Sequence, residues 1–212
     1  MIAAPASELG RRVPTALAYG AVVLAALIGP APLFLALLVA LWVLGVGEIR
    51  RLLREGTGLM DVAIAGSYLA FGLGALGYLR LLGPEWVLVA LIPTWAADVA
   101  SYAIGSRFGT ARIAPRISPG KTLEGTVGGF VAAALAAFAV CVYAGVPPLA
   151  TFVISLLAGP AGLAGDLLES AVKRSAGVKD SGSLLPGHGG VLDRIDSLLL
   201  VAPLVALASR LP

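Results

Sequence analysis

The sequence predicts an all-α fold, a polytopic transmembrane helix bundle of about seven spans with a cytoplasmic N-terminus. Three observations predict it. Apolar residues make up 58% of the 212 and charged residues only 13%, against about 25% charged in an average soluble domain. The apolar residues fall in long Ala- and Leu-rich runs without strict alternation, which suits spanning helices and not a barrel wall. The basic residues gather in alternate connections between those runs. That composition excludes other classes. A net charge of +3 on a chain of mean hydropathy +0.95 neither keeps it disordered nor forms a groove for a polyanion, so nucleic acid is not a partner. Cys141, the one cysteine, lies in an apolar run, which excludes a disulfide framework and a cysteine-held metal.

Crossing about 30 Å of hydrocarbon at 1.5 Å per residue takes about 20 mostly apolar residues. Seven runs are candidates: 13–28, 33–46, 62–79, 86–103, 126–146, 149–168 and 198–211, the second and last being short. Arg11 and Arg12 before the first run give it the look of a signal peptide. A second span follows almost at once and no polar mature domain appears, so the run is read as a retained anchor. With the N-terminus inside, the cytoplasmic segments hold Arg11, Arg12, Arg50, Arg51, Arg54, Arg107, Arg112, Arg116, Lys121, Lys173, Arg174, Lys179 and Arg194. Only Arg80 and Arg210 fall on the other side. That is the positive-inside distribution.

The polar residues of the cytoplasmic side concentrate in two segments, 105–125 and 169–196. Asp98 and Asp166 lie within or at the end of apolar runs, in the cytoplasmic half. A carboxylate at mid-membrane costs about 2.5–3.5 kcal/mol on insertion scales, so such groups usually face a polar cavity. The plainer reading of each is a helix-packing hydrogen bond or a snorkelling carboxylate. If the sixth helix continues past 168, Asp166, Glu169, Ser170 and Lys173 share one face at i, i+3, i+4 and i+7. That stripe is either an ion-pair ladder or a place for a cation at its acidic end and an anion at its basic end.

The following segment favours a site. Gly187, Gly189 and Gly190 let backbone N–H groups approach an anion. Asp193 and Asp196, three apart, share a helical face. With Asp166 they offer the hard oxygens that Mg²⁺ favours, a metal normally held by one or two carboxylates plus substrate phosphates. Lys173, Arg174, Lys179 and Arg194 can neutralise a polyphosphate. Together these residue types describe a metal–nucleotide site for phosphoryl or nucleotidyl transfer. His188, between glycines, has little core to pack against and is read as a turn-stabilising or phosphate-donating group, not a metal ligand.

Ser118-Pro119-Gly120-Lys121-Thr122 contains the Gly-Lys-Thr of a P-loop. The leading glycine of that motif falls at Pro115, and Pro119 interrupts the loop, so it is not a Walker motif. Lys121 and Thr122 precede a helix whose N-terminal amides point at an anion. The alternative is anchoring to the membrane surface by Arg107, Arg112, Arg116 and Lys121.

The stretch Ser170-x-x-Lys173-Arg174-x4-Lys179-Asp180-x-Gly182-x-x-Leu185-Pro186-x-His188-Gly189-Gly190-Val191-x-Asp193-Arg194-Ile195-Asp196 resembles the signature of the phosphatidate cytidylyltransferases, the integral-membrane CDP-diacylglycerol synthases. A second stretch, Asp98-x-x-Ser101-Tyr102-x-x-Gly105, Gly109 and Ser118-Pro119-Gly120-Lys121-Thr122-x-Glu124-Gly125, is similar to the family's other motif. The likeness is strong over 95–204; the first two spans, ending Gly47-Glu48-Ile49, match in pattern only. Gly120 stands where the family usually has lysine, and the chain is short by about two spans after Arg54.

The resemblance implies one integral-membrane domain over 1–212, with an N-terminal two-span segment (1–60) and a catalytic portion (86–205). It implies phosphatidate + CTP → CDP-diacylglycerol + pyrophosphate in the cell membrane, on its cytoplasmic side, with Mg²⁺ and a K⁺ beside it, in a homodimer. Asp166 and Asp193 are then the expected metal ligands. Lys173, Arg174, Lys179 and Arg194 screen both substrates, and Asp180 and Asp196 orient those cations. Asp98, Lys121 and Glu124 shape the opposite wall, while Ser118, Thr122, Ser170, Gly189 and Gly190 contact the nucleotide or metal. Two rival readings are a CTP-using relative acting on an isoprenoid lipid phosphate and an ion-coupled transporter relaying through Asp98 and Asp166. No internal repeat supports transport, and the acids cluster at one surface instead of along a path.

Overall fold

The structure, a computed structural model, describes residues 18–53, 59–182, 184 and 189–212. The described part of each apolar run forms a helix: α1 (Ala18–Ile28), α2 (Ala31–Leu52), α3 (Leu59–Leu82), α4 (Pro84–Phe108), α5 (Leu123–Tyr143), α6 (Pro148–Ser175) and α8 (Leu198–Ala208), with a one-turn α7 (Leu192–Ile195) before the last. Five of them, α2 to α6, are long and apolar enough to cross a membrane. The chain is a polytopic, multi-pass membrane bundle. The run at 198–211 yields a helix of only 11 residues, about 16 Å at 1.5 Å per residue. Because α8 is apolar all round, it packs inside: Leu198, Leu199, Val201, Ala202, Pro203, Val205 and Ala208 are buried against α3, α4 and α6.

Helix α6 does continue past 168, to Ser175. Its charged last turns are stabilised within the helix, since Lys173 Nζ donates to Glu169 Oε2 at 2.7 Å and Ser170 Oγ to Asp166 Oδ1 at 3.1 Å, both i, i+4. The polar segment 105–125 is more ordered than an all-α reading expects. After α4, Arg112–Ala114 (β1) and Ser118–Thr122 (β2) form an antiparallel hairpin with Arg112 opposite Thr122 and Ala114 opposite Ser118. Pro115 and Pro119 cannot continue a helix; Pro115 follows β1, and Pro119 lies within β2 between the two paired positions, where the register is irregular.

Helices α4 and α5 make the most intimate contact of the bundle. Gly125, Gly129, Ala133 and Ala137 form a buried small-residue stripe on α5, which lets backbones approach closely. A Cβ at Gly129 would run into Ser101 Oγ and the Ala97 carbonyl. α5 then packs on α6, α6 on α8, α8 on α3 and α3 on α2. This alternation brings the C-termini of α2, α4 and α6, the hairpin and the described residues of 176–197 to one end. Among the described residues every Lys and Arg lies at that end except Arg80 and Arg210. At the other end Arg80 donates to the Gly29 carbonyl at 2.6 Å, and the Arg210 guanidinium lies 5.1 Å from the Tyr78 ring centre.

Candidate active site

At the polar end, α4, α5, α6 and the hairpin enclose a cavity of about 240 Å³. Phe130, Ala158, Gly159 and Leu163 line its floor, and Asp98, Ser101, Lys121, Thr126 and Asp166 line its polar part. Ser197, opening α8, closes the inner side. Lys121 reaches from the end of β2 to α6, where its Nζ stands 2.5 Å from Asp166 Oδ2. Thr122 caps α5 by accepting from the Gly125 N–H at 3.2 Å, and its carbonyl accepts from Thr126 Oγ1 at 2.8 Å. The Gly-Lys-Thr run is thus the end of a strand and a helix cap.

The structure separates the predicted residues into two groups. Asp98, Lys121 and Asp166 line the cavity, and Asp196 sits next to it in the chain, before the lining residue Ser197. Burial, then the negative charges of Asp166 and Asp98, push the Asp196 carboxyl up to about 6. Asp196 therefore answers to the cavity acids more than to the cations it was expected to orient, and its Oδ1 accepts only from the adjacent Ser197 N–H, at 2.7 Å, among the bonds described.

The second group lies behind Asp166 on the same helix. Lys173, 8% exposed, donates from Nζ to Asp193 Oδ1 at 2.6 Å as well as to Glu169. Asp193 Oδ2 accepts from Gly190 N at 2.7 Å and Ser181 N at 2.9 Å, and Ser181 Oγ stands 3.0 Å from it. Burial alone would raise the Asp193 carboxyl, but the Lys173 ammonium and the Gly190 and Ser181 amides outweigh it and hold it below the ordinary carboxylate value. In the described part of the glycine-rich loop, the Gly190 amide is turned to an internal anion, the Asp193 carboxylate. Gly189 enables it with a φ of +80°, where a side chain would also press on Asp193 Oδ2.

The remaining expectations find their places around these groups. Arg174 ties α6 to the hairpin, donating from Nε to the Ile117 carbonyl at 3.1 Å and from Nη1 to the Val178 carbonyl at 2.7 Å. Glu124 accepts from the Thr110 hydroxyl and, at 3.3 Å, from Ala111 N, so it holds the start of the hairpin. Ser118 pairs with Ala114 and does not line the cavity. Lys179, Asp180 and Arg194 are exposed at the same end. His188 lies outside the described residues. Among the described residues no group of three or more His, Cys, Asp or Glu side chains is arranged around a metal.

One residue was missed. Glu48, 4% exposed near the end of α2, accepts from Val191 N at 2.8 Å, Leu192 N at 3.0 Å and Ser181 Oγ at 2.9 Å. The signal for it was present. An acid one turn before the end of a spanning helix requires partners, but those partners are more than 130 positions away.

The profile of the Cytidylyltransferase family matches residues 79–211, a stretch that contains every residue lining the cavity. The phosphatidate cytidylyltransferase of Thermotoga maritima is 46% identical over 132 residues, covering 58% of this chain and 48% of that protein. That of Bacillus subtilis is 42% identical over 123 residues, 57% of this chain and 46% of the relative. The uncharacterized protein YnbB of Escherichia coli is 45% identical over 122 residues, 57% of this chain and 41% of the relative. The chain spans about half the length of the curated relatives it matches. With cavity, hairpin and Asp193 loop all inside the matched stretch, the chain belongs to the cytidylyltransferase family.

Proposed function

We propose that this chain transfers CMP from CTP to phosphatidate, releasing pyrophosphate and leaving CDP-diacylglycerol in the membrane. The observation that carries the reading is the Lys121–Asp166 pair across the mouth of a cavity whose floor lies among membrane-crossing helices. Such a site admits a headgroup from the bilayer and a nucleotide from water. The printed names of the Bacillus subtilis and Thermotoga maritima relatives support the substrates. The bias of basic residues to the cavity end supports a cytoplasmic site in the cell membrane, seven spans and an N-terminus inside. A homodimer belongs to the same reading.

Phosphatidate is anionic near neutral pH, as a phosphomonoester with a second pKa of about 6 is. It therefore attacks without a strong general base, and the difficulty is bringing two anions together. Lys121, Lys173, Arg174, Lys179 and Arg194 share one end of the bundle and screen the triphosphate and the lipid phosphate. His188, on the same segment, is proposed to donate to a phosphate.

The donor set fits Mg²⁺. Its carboxylates offer hard oxygens, and Mg²⁺ is usually held by one or two carboxylates plus substrate phosphates, so no cage of three acids is required. Asp166 is the first ligand proposed, since its ionic partner among the described residues, Lys121, is itself about a quarter exposed and displaceable. Asp193, the second, has both oxygens engaged and must release Lys173 to ligate. Asp98 lines the same cavity. When bound, Mg²⁺ supplies positive charge to the triphosphate and the departing pyrophosphate; a K⁺ beside it is part of the proposal.

Labelled CTP and phosphatidate, incubated with the purified protein in detergent, test this. CDP-diacylglycerol should form with Mg²⁺ and cease with a chelator. An isoprenoid phosphate acceptor in parallel identifies the lipid class. No CMP transfer to either lipid refutes the proposal.

A further inference from the structure

Glu48 comes from a helix outside the stretch matched by the family profile, yet the loop carrying Asp193 is folded around its carboxylate. We propose that Glu48 is a positioning residue: it fixes Ser181 and the Val191–Leu192 amides so that Asp193 presents Lys173 beside the cavity. The activity part of this inference rests on the function proposed above; the structural part does not.

Three features carry it. The two amides that open α7, Val191 N and Leu192 N, donate one to each Glu48 oxygen. Ser181 Oγ stands 2.9 Å from Glu48 Oε2 and 3.0 Å from Asp193 Oδ2. A hydroxyl has one proton to give, so this serine couples the two carboxylates. Finally, two glycines among the described residues of the loop, Gly182 and Gly190, leave space for Glu48. A Cβ at Gly182 would lie 2.8 Å from Glu48 Oε1, and one at Gly190 would lie 2.5 Å and 2.6 Å from its two oxygens.

The chemistry explains why an acid stands here. A carboxylate accepts through both oxygens, whereas a glutamine of the same shape presents an NH₂ that cannot accept from a backbone amide. Hydrogen bonds to a charged acceptor are also the stronger kind. Filling space would require neither property.

Glu48→Gln and Ser181→Ala in the full chain test the proposal, read by hydrogen exchange at individual amides and by steady-state kinetics. Glu48→Gln should speed exchange at Val191 and Leu192 by about tenfold or more, while amides of α5 keep their protection. Its kcat/KM for CTP should fall about tenfold or more, with a raised KM that a mere loss of folded enzyme would not produce. Ser181→Ala, which leaves Glu48 in place, should give a smaller change of the same kind and serves if Glu48→Gln does not fold. Unchanged exchange at Val191 and Leu192 in Glu48→Gln overturns the proposal, as does wild-type kcat/KM in both variants. Should the parent protein fail to use CTP, the function above falls while the exchange measurement still decides the role of Glu48.

Discussion

Lys121 and Asp166 meet at 2.5 Å where the hairpin comes down on α6, with about a quarter of each side chain still exposed. Pairs this open contribute about 0–1 kcal/mol to stability. The pair joins two elements that otherwise meet through Arg174 and the Ile117 carbonyl, so opening it at the arrival of a charged substrate is inexpensive.

Asp166→Asn should therefore separate activity from stability. CMP transfer should fall by about 10²–10³-fold, the range for removing one electrostatic stabiliser of a transition state. The melting temperature should barely move. Turnover assays and thermal unfolding of the same detergent preparation check both halves.

Lys173 should behave oppositely. It is 8% exposed and bonded to both Glu169 and Asp193. Lys173→Met leaves two carboxylates without their cation, and breaking such a buried pair costs about 3–5 kcal/mol. Adding Glu169→Gln should recover part of that loss. Chemical unfolding of the single and double variants measures the difference.

Stability should carry an unusual pH signature from Asp196. Its carboxyl, raised from 3.8 to about 6 by burial and by Asp166 and Asp98, holds its proton more tightly folded than unfolded. That contribution is complete below 3.8 and is lost as pH rises through 6. Asp193 runs the other way: its lowered carboxyl stabilises above the ordinary value and loses that contribution as pH falls through its folded value. Asp196→Asn mimics the neutral acid, so it should stabilise the metal-free protein by about 1–3 kcal/mol at pH 7. The gain should vanish near pH 4. Melting curves across that range give the answer, and a gain that does not depend on pH would refute the assignment.

Two glycines on α6 should differ sharply. A Cβ at Gly165 would collide with the Asp196 carbonyl and lie 3.1 Å from Ser197 Cα, both backbone. Gly165→Ala should then push the start of α8 away, at the cost of about 1–3 kcal/mol typical of overpacking. At Gly162 the nearest atoms are 3.6 Å and 3.7 Å away, and Gly162→Ala should fold normally. Thermal unfolding ranks the two.

Composition and charge placement determined the class of molecule, the positions of the helices and the end at which polar residues gather. These follow from solvent: runs of apolar residues must leave water, and each forms a helix because its backbone bonds close locally. The i, i+4 contacts of α6 were legible for the same reason, since Asp166, Ser170 and Glu169, Lys173 meet within a single helix. Tertiary structure decided which acids share a space. Asp193 is spent on Lys173 and its own loop, Asp196 answers to Asp98 and Asp166, and Glu48 crosses from α2 to fold a turn distant in sequence. Helical periodicity carries no information about neighbours on other helices. Those were set by which small residues let backbones approach and which buried polar atoms had to find partners.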